Sequence, residues 1–495
     1  MVFVKFLLRS LRASVSILLI VISFCSKTIA AVLSPDSTEY GKLYVTRWAD
    51  DKTSAFSFSF DDGFKAQYDN VYPILEDYDF NATYFILPPY LSETSDTLIW
   101  RYGSWPMFLE MNYDGSELGS HSLNHLHLLQ YPVGDTSTPN TIHYELYQSK
   151  KIIEEKTNYD KCITFAYPYA EHNQMLDSLT AIYYESARAI GIDPNPYSLT
   201  GIDWYSLSSY EVVFEEPRDE FEDDLDELYN FMNWIEGSIS NGRWAIQLAH
   251  EVVPYSQLDD LISQGAYNPI SNEWLIMLCD WLNERSDNGF LWIESIGNIT
   301  KYIKERDSYS YQILSQSDSL IEINLTDDLS DDIYDFPLSA YISVPIEWQE
   351  VRLVQGNVSN VYQSFNVDSM QVILAKVIPD GGIIKLTKYD PSYVETETRQ
   401  PSYFILNQNY PNPFNPSTKI SWETRVGSWL TLKVYDVLGN EIVTLVDEYK
   451  PAGKYEVEFN TGSSFQLVRN LTSGIYFYQL RVGNFIETKK MTLIR

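Results

Sequence analysis

Cysteine is scarce: the 495-residue chain has three, and only Cys162 and Cys279 lie beyond an apolar leader. A disulfide-built scaffold is excluded, and at most one bridge could form. Basic residues are also few, 35 Lys and Arg against 68 Asp and Glu, for a net charge of −33. So acidic a chain is poorly suited to nucleic acid or an anionic membrane, and fits an extracellular protein acting on a neutral or cationic polymer. No segment after the leader is long and apolar enough to cross a membrane. Histidine is rare too, six in all, and three of them fall within His121–His127.

What is present divides the chain. Residues 1–31 read as a secretory signal: Lys5, Arg9 and Arg12, an apolar run from Val15 to Phe24, then small residues at Thr28-Ile29-Ala30-Ala31. Cys25 is not preceded by small residues, which argues against a lipid-anchored form. The length suggests about two to four domains. Over 45–307, apolar strands (54–60, 82–87, 162–167, 244–249) alternate with helical patterns at Tyr144–Lys156, Asp223–Ser238, Asn272–Arg285 and Ile293–Arg306, which predicts an α/β, barrel-like domain. Residues 308–389 carry short alternating runs between turn residues and predict an accessory β-sandwich. A polar linker, 390–402, leads to a second predicted sandwich over 403–495, with turn pairs at Gly439-Asn440 and Gly483-Asn484. The acidic run Glu215 to Asp226 reads as a solvated face, with Ca²⁺ binding as the other reading.

Four stretches carry candidate chemistry. In Ser54 to Gly63, Phe alternates with small residues and runs into Asp61-Asp62-Gly63, which predicts a strand with one buried face and two acids at its carboxyl end. In parallel barrels catalytic groups collect at that end, whereas an isolated Asp-Asp-Gly would be a hairpin turn. His121 and His125 are four apart, so one helical turn would stack their imidazoles; with one Asp they would make a three-ligand site open to water. His127 reads as packing. Phe165-Ala166-Tyr167-Pro168-Tyr169 ends a strand on a proline that forces a turn, freeing backbone N–H groups for a ligand. Trp244 to Ala249 is a buried strand ending on His250.

In this order, Asp-Asp-Gly, His-Ser-x-x-His, Tyr-Pro-Tyr and Leu-x-His resemble the polysaccharide deacetylase (NodB-homology) family of carbohydrate esterases, over roughly residues 51–307. The resemblance implies a distorted (β/α) barrel with fewer strands than the closed eight-stranded form. It implies Asp61 as the base that takes a proton from water, and Asp62, His121 and His125 as ligands of a divalent metal, usually Zn²⁺. The Tyr169 N–H would hold the oxyanion and His250 would protonate the departing amine. Two positions depart from the pattern. Ala166 stands where many members carry an arginine, so Asp61 needs another cation, and Arg188 is the candidate. Asp203 is the candidate acid steering His250, but Leu207 occupies the expected Trp position.

The tail, through Asn409-Tyr410-Pro411-Asn412-Pro413-Phe414-Asn415-Pro416, Val434 to Gly439, Gly474-Ile475-Tyr476 and Lys489-Lys490, resembles the C-terminal sorting domain of type 9 secretion cargo. That implies the type 9 machinery as a partner and a secreted or surface-exposed protein. The combined expectation is a metal-dependent deacetylase of acetylated polysaccharide, N-acetylglucosamine polymers first. A xylan O-acetyl esterase and a non-catalytic surface glycan-binding protein are the alternatives.

Overall fold

The computed structural model describes residues 40–495 apart from 96, 98, 158–159, 215–220, 368–369, 391–403, 425–427, 436–440, 451–452, 462–470, 483–484 and 495. The signal segment, almost all of the linker, the start of the acidic run and both Gly-Asn turn pairs therefore lie outside the described residues. The chain forms two compact units, Met1–Tyr393 and Val394–Arg495.

The first unit opens with a short strand, β1 (Leu43–Val45), and then builds a parallel barrel. Its strands are β2 (Ser54–Asp62), β3 (Ala82–Ile86), β4 (Glu117–Ser120), β5 (Thr164–Ala166), β6 (Ser186–Ile190), β7 (Leu207–Glu211) and β8 (Trp244–Ala249). They follow one another in space and β8 closes on β2, a ring of seven strands. A small parallel pair, β9 (Val252–Val253) and β10 (Ile270–Ser271), follows β8. A last strand, β11 (Leu291–Ile293), joins the first three residues of β2, below the stretch that pairs with β3. This is the distorted, fewer-stranded barrel that the motifs imply.

Contrary to the single buried face expected, the Phe/Ser alternation of β2 does not separate a buried face from a wet one, because both faces are buried. Phe56, Phe58 and Phe60 lie under the helices, with Val71, Phe80 and Phe231. The serines face the interior with Ala55, Trp244 and Ile246. Ser57 accepts from the Trp244 indole at 3.0 Å, and Ser59 donates to the Gln247 carbonyl. In a parallel barrel of few strands the interior is narrow, and small hydroxyl residues fill it without clashing.

The outer helices start where side chains cap them: Thr141 for Ile142–Lys156, Ser271 for Asn272–Asp287 and Ser295 for Ile296–Ser308. The described part of the acidic run opens the helix Phe221–Asn241, where Asp224 is buried rather than solvated.

Residues after the barrel form two antiparallel sheets. One comprises β12 (Ser310–Gln316), β13 (Ile321–Thr326), β19 (Ile384–Lys388), β15 (Glu350–Gln355) and β16 (Val358–Gln363). The other comprises β14 (Leu338–Ser343), β18 (Met370–Val377) and β17 (Phe365–Val367), and takes in β1 from ahead of the barrel. Ile299, Tyr302 and Ile303 of the closing helix share a core with Leu43, Trp48, Ile321 and Ile342. The sandwich is thus stitched to the barrel by a borrowed strand and a common apolar layer. Cys162 and Cys279 are buried and unpaired.

The second unit is two facing antiparallel sheets of three and four strands around Trp422, Leu432, Phe459, Tyr478 and Met491. In its proline-rich entry, Asn409 is buried, donating from Nδ2 to the Thr418 hydroxyl and the Pro411 carbonyl.

Candidate active site

The first two acids leave β2 differently. Asp61 keeps the strand conformation and faces the interior; Asp62 turns with φ 76°, followed by Gly63 at φ 78°. Asp61 Oδ2 receives the Arg188 guanidinium from the middle of β6 at 2.5 Å, and Arg188 also donates to Ser209 at 3.3 Å. The cation expected for Asp61 thus comes from the neighbouring strand, beyond Ala166. Burial by itself would raise the Asp61 carboxyl, but Arg188, helped by His121 and His250, outweighs it and holds the carboxyl below its usual range.

The two imidazoles are not on a helical turn. Residues 121–127 form an irregular loop after β4, bent by Ser122 at φ 67° and His125 at φ 53°. Ser122 Oγ accepts from the His125 N–H at 3.0 Å, which closes the loop locally. Glu145, buried on the helix Ile142–Lys156, accepts from the Asn124 N–H at 2.8 Å and from its side-chain amide at 2.7 Å. The rings of His121 and His125 still meet, with centroids 4.8 Å apart. Side-chain and backbone bonds bring them together instead of helical periodicity.

Asp62, His121 and His125 can each offer one donor atom, all within 4.8 Å of one another. The nearest oxygen of Asp62 is 3.7 Å from His121 Nε2 and 3.6 Å from His125 Nε2. Four-coordinate bonds of about 2.0–2.2 Å put ligand atoms roughly 3.3–3.6 Å apart, close to these edges. His121 Nδ1 lies 2.9 Å from the Ala166 carbonyl, which fixes the N–H there and leaves the Nε2 lone pair facing Asp62. Burial, with Asp61 and Glu251 adding to it, lifts the Asp62 carboxyl to about 7, while burial lowers His121 to about 4 and His125 to about 3. Neutral imidazoles beside a carboxylate whose charge lacks compensation suit a divalent cation, so the residues fit the group that the motifs imply.

His250 follows β8 and shares the interior with Asp61. Burial lowers it to about 4 although Asp61 pulls the other way, and its Nδ1 has no hydrogen-bond partner among the described residues. Asp203 does not supply one. It lies in the return loop ahead of β7, at the opposite end of the barrel, where it is exposed and accepts from the Tyr205 N–H at 3.3 Å. An acid preceding a parallel strand cannot reach groups at the carboxyl ends. The acid at the right end of β7 is Glu211, whose register partner on β8 is Leu248. Tyr267 links the two regions: its ring is 5.3 Å from that of His250 and its hydroxyl 3.5 Å from Glu211.

Tyr169 follows Pro168 in a left-handed conformation, φ 59° and ψ 12°. Its ring stacks on His127 at 3.8 Å and meets His125 at 4.5 Å, while His127 pairs with Glu171 at 3.0 Å. His127 therefore packs, as its spacing suggested. Sequence reading missed Glu145, Glu211 and Glu251, because their importance comes from where other strands place them.

Residues 49–184 match the polysaccharide deacetylase family and residues 408–494 the secretion system C-terminal sorting domain, so both resemblances are found. The sorting domain marks the chain for type 9 export to the cell surface or beyond. Among the described residues no helix is long and apolar enough to cross a membrane. A gellan lyase from Bacillus sp is 24% identical over 356 residues, a match covering 70% of this chain and only 13% of that protein. The solved Xyl-CE4 domain of a multidomain xylanase from the hindgut metagenome of Trinervitermes trinervoides is 16% identical; the match covers 50% of this chain and 89% of that one, with a TM-score of 0.31. A Streptococcus pyogenes deacetylase, solved with acetate, is 23% identical over 34% of this chain and 69% of its own, at 0.28.

Proposed function

We propose that the chain is a divalent-metal-dependent hydrolase that removes acetyl groups from polysaccharide, with N-acetylglucosamine polymers as the substrate class. The observation that carries this reading is a three-donor cluster, Asp62, His121 and His125, beside a second acid that Arg188 keeps ionised. The family match over 49–184 supports it.

Asp62, His121 and His125 would hold the ion, which when bound polarises the acetyl carbonyl and makes water more acidic. Asp61 takes the proton from that water; its ion pair with Arg188 keeps the carboxylate charged and correctly aimed. The Tyr169 N–H, presented by its left-handed turn, donates to the oxygen that becomes negative. His250 hands a proton to the sugar nitrogen, which leaves poorly as an anion. Burial keeps His250 neutral at rest, so it takes up a proton before it delivers one, and the proton that Asp61 removes from water balances that uptake. The amide is favoured over the ester because a buried imidazole dedicated to the leaving group matters most for a poor one.

The test is acetate release from chitooligosaccharides and other acetylated glycans by the purified protein, with and without chelator. Chelation should abolish release and added Zn²⁺ should restore it. Release that ignores chelator, or none from any acetylated glycan, would overturn the proposal. In His250→Ala, loss on chitooligosaccharide with a near-normal rate on acetylated xylan would move the assignment to an O-acetyl esterase.

A further inference from the structure

The strap between β3 and the helix Trp105–Tyr113 carries an aromatic group that nothing described so far employs. Its end is hydrogen-bonded to the backbone that leaves Asp62: the Gly103 N–H donates to the Gly63 carbonyl at 2.9 Å and the Lys65 N–H to the Arg101 carbonyl at 2.8 Å. Tyr102 stacks on Phe64 at 5.3 Å, and its phenol lies near enough to Asp62 to feel that charge after burial. Just outside this ladder, in the turn closed by the Tyr102 N–H and the Ile99 carbonyl, sits Trp100.

Trp100 is 61% exposed and has φ 49°, a conformation that turns normally assign to Gly or Asn. A large side chain in a left-handed turn, unburied, gains nothing for folding that would explain it. Yet the ring is held firmly from beneath. The Arg101 guanidinium lies 4.0 Å from its centroid, and Phe64 and Tyr102 meet it edge-on at 6.3 and 5.9 Å. Arg101 is itself anchored, with Nη1 3.2 Å from the buried Glu251, the residue after His250. That contact ties the strap to the segment that follows β8.

From this geometry we infer that Trp100 is a sugar-stacking subsite: its free face takes the apolar face of a neutral pyranose ring next to the one whose acetyl group is removed, and Arg101 and Glu251 are positioning residues that hold it. The inference rests on the reading of the centre as a carbohydrate deacetylase and adds where the polymer lies: along the Phe64 side of Asp62. A neutral ring is specified because Arg101 Nη1 is directed at Glu251, 3.2 Å away, and the chain's net charge of −33 disfavours a uronate.

Two measurements on the metal-loaded full chain test it, using N-acetylglucosamine tetramer and hexamer and 4-nitrophenyl acetate, with Trp100→Ala and Trp100→Phe. In the first, Trp100→Ala should lower the ratio of kcat/KM for hexamer over kcat/KM for the small ester by about tenfold or more, through KM, and Trp100→Phe should restore most of it. In the second, equilibrium binding of the hexamer should weaken by about the same factor in Trp100→Ala, whether or not the sugar is hydrolysed. An unchanged ratio and unchanged binding, or stronger binding of an oligouronate than of the hexamer, would overturn the subsite. A wild-type chain that binds the hexamer through Trp100 but releases no acetate would leave the subsite standing and remove the deacetylase reading.

Discussion

Both ends of one barrel bury carboxylates, and the two ends treat them differently. At the amino end Glu117, half-buried, accepts from the Thr83 and Thr164 hydroxyls and the Gly297 N–H, each at 2.8 Å. Burial raises its carboxyl, and these neutral donors from three separate segments oppose that rise. At the carboxyl end Asp61 Oδ1 and His250 Nδ1 have no hydrogen-bond partner among the described residues, and Asp62 is lifted by burial beside like charges. A buried acid is therefore no sign of function by itself. What sets the carboxyl end apart is that unsatisfied atoms such as Asp61 Oδ1 gather beside the three candidate donors, whereas Glu305, equally unsatisfied, has no such cluster around it.

If this contrast is right, changes at the carboxyl end should cost activity and changes at the amino end should cost stability. The largest effect is expected for Asp62→Asn: acetate release should fall by about a thousandfold or more and bound metal should be lost on elemental analysis, with little change in Tm. A folded variant that keeps metal and rate would break the comparison. Arg188→Met should come next, with kcat reduced by about a hundredfold, because Asp61 loses the cation that keeps it charged. It should also be destabilised by about 3–5 kcal/mol in chemical denaturation, since Asp61 stays buried and unpaired.

Glu117→Ala tests the other end. It leaves two hydroxyls and an N–H without their acceptor, so unfolding free energy should drop by about 2–4 kcal/mol while kcat per folded molecule holds. An equal loss of kcat would mean that the amino end also shapes the reaction. The smallest effect belongs to Glu305, buried beside the sandwich and raised to about 8 by burial, then by Asp327 and Asp335, with Lys301 opposing. Its folded value lies above its unfolded one, so its favourable contribution is complete below about 4.5 and disappears as pH rises through 8. Glu305→Gln should therefore match the parent in Tm near pH 5 and exceed it by a few degrees near pH 9. Parallel Tm curves for the two proteins would refute this.

The order of the four motifs and the strand-ending acids were legible because they are local: alternation, a proline stop and a rare cluster of histidines survive without coordinates. Strands 54–62 and 244–249 and the helices Ile142–Lys156 and Asn272–Asp287 lie close to where periodicity puts them. The loop at 121–127 was misread because four-residue spacing is shared by a helical turn and by a loop closed through Ser122. The same holds for Asp203: spacing placed it near the right strand, and only topology shows that it enters that strand from the wrong end.

By itself the sequence determined the class of chemistry, the division into an exported α/β body and β tail, and the identity of the metal-type donors, since residue types and local spacing carry that information. The tertiary structure decided that Glu211 rather than Asp203 stands at the His250 end and that β1 is donated to the sandwich, and it put Arg188, the cation the sequence had proposed, on Asp61. Those facts depend on pairing between segments more than a hundred residues apart in several cases, and no local pattern records which strand ends will meet.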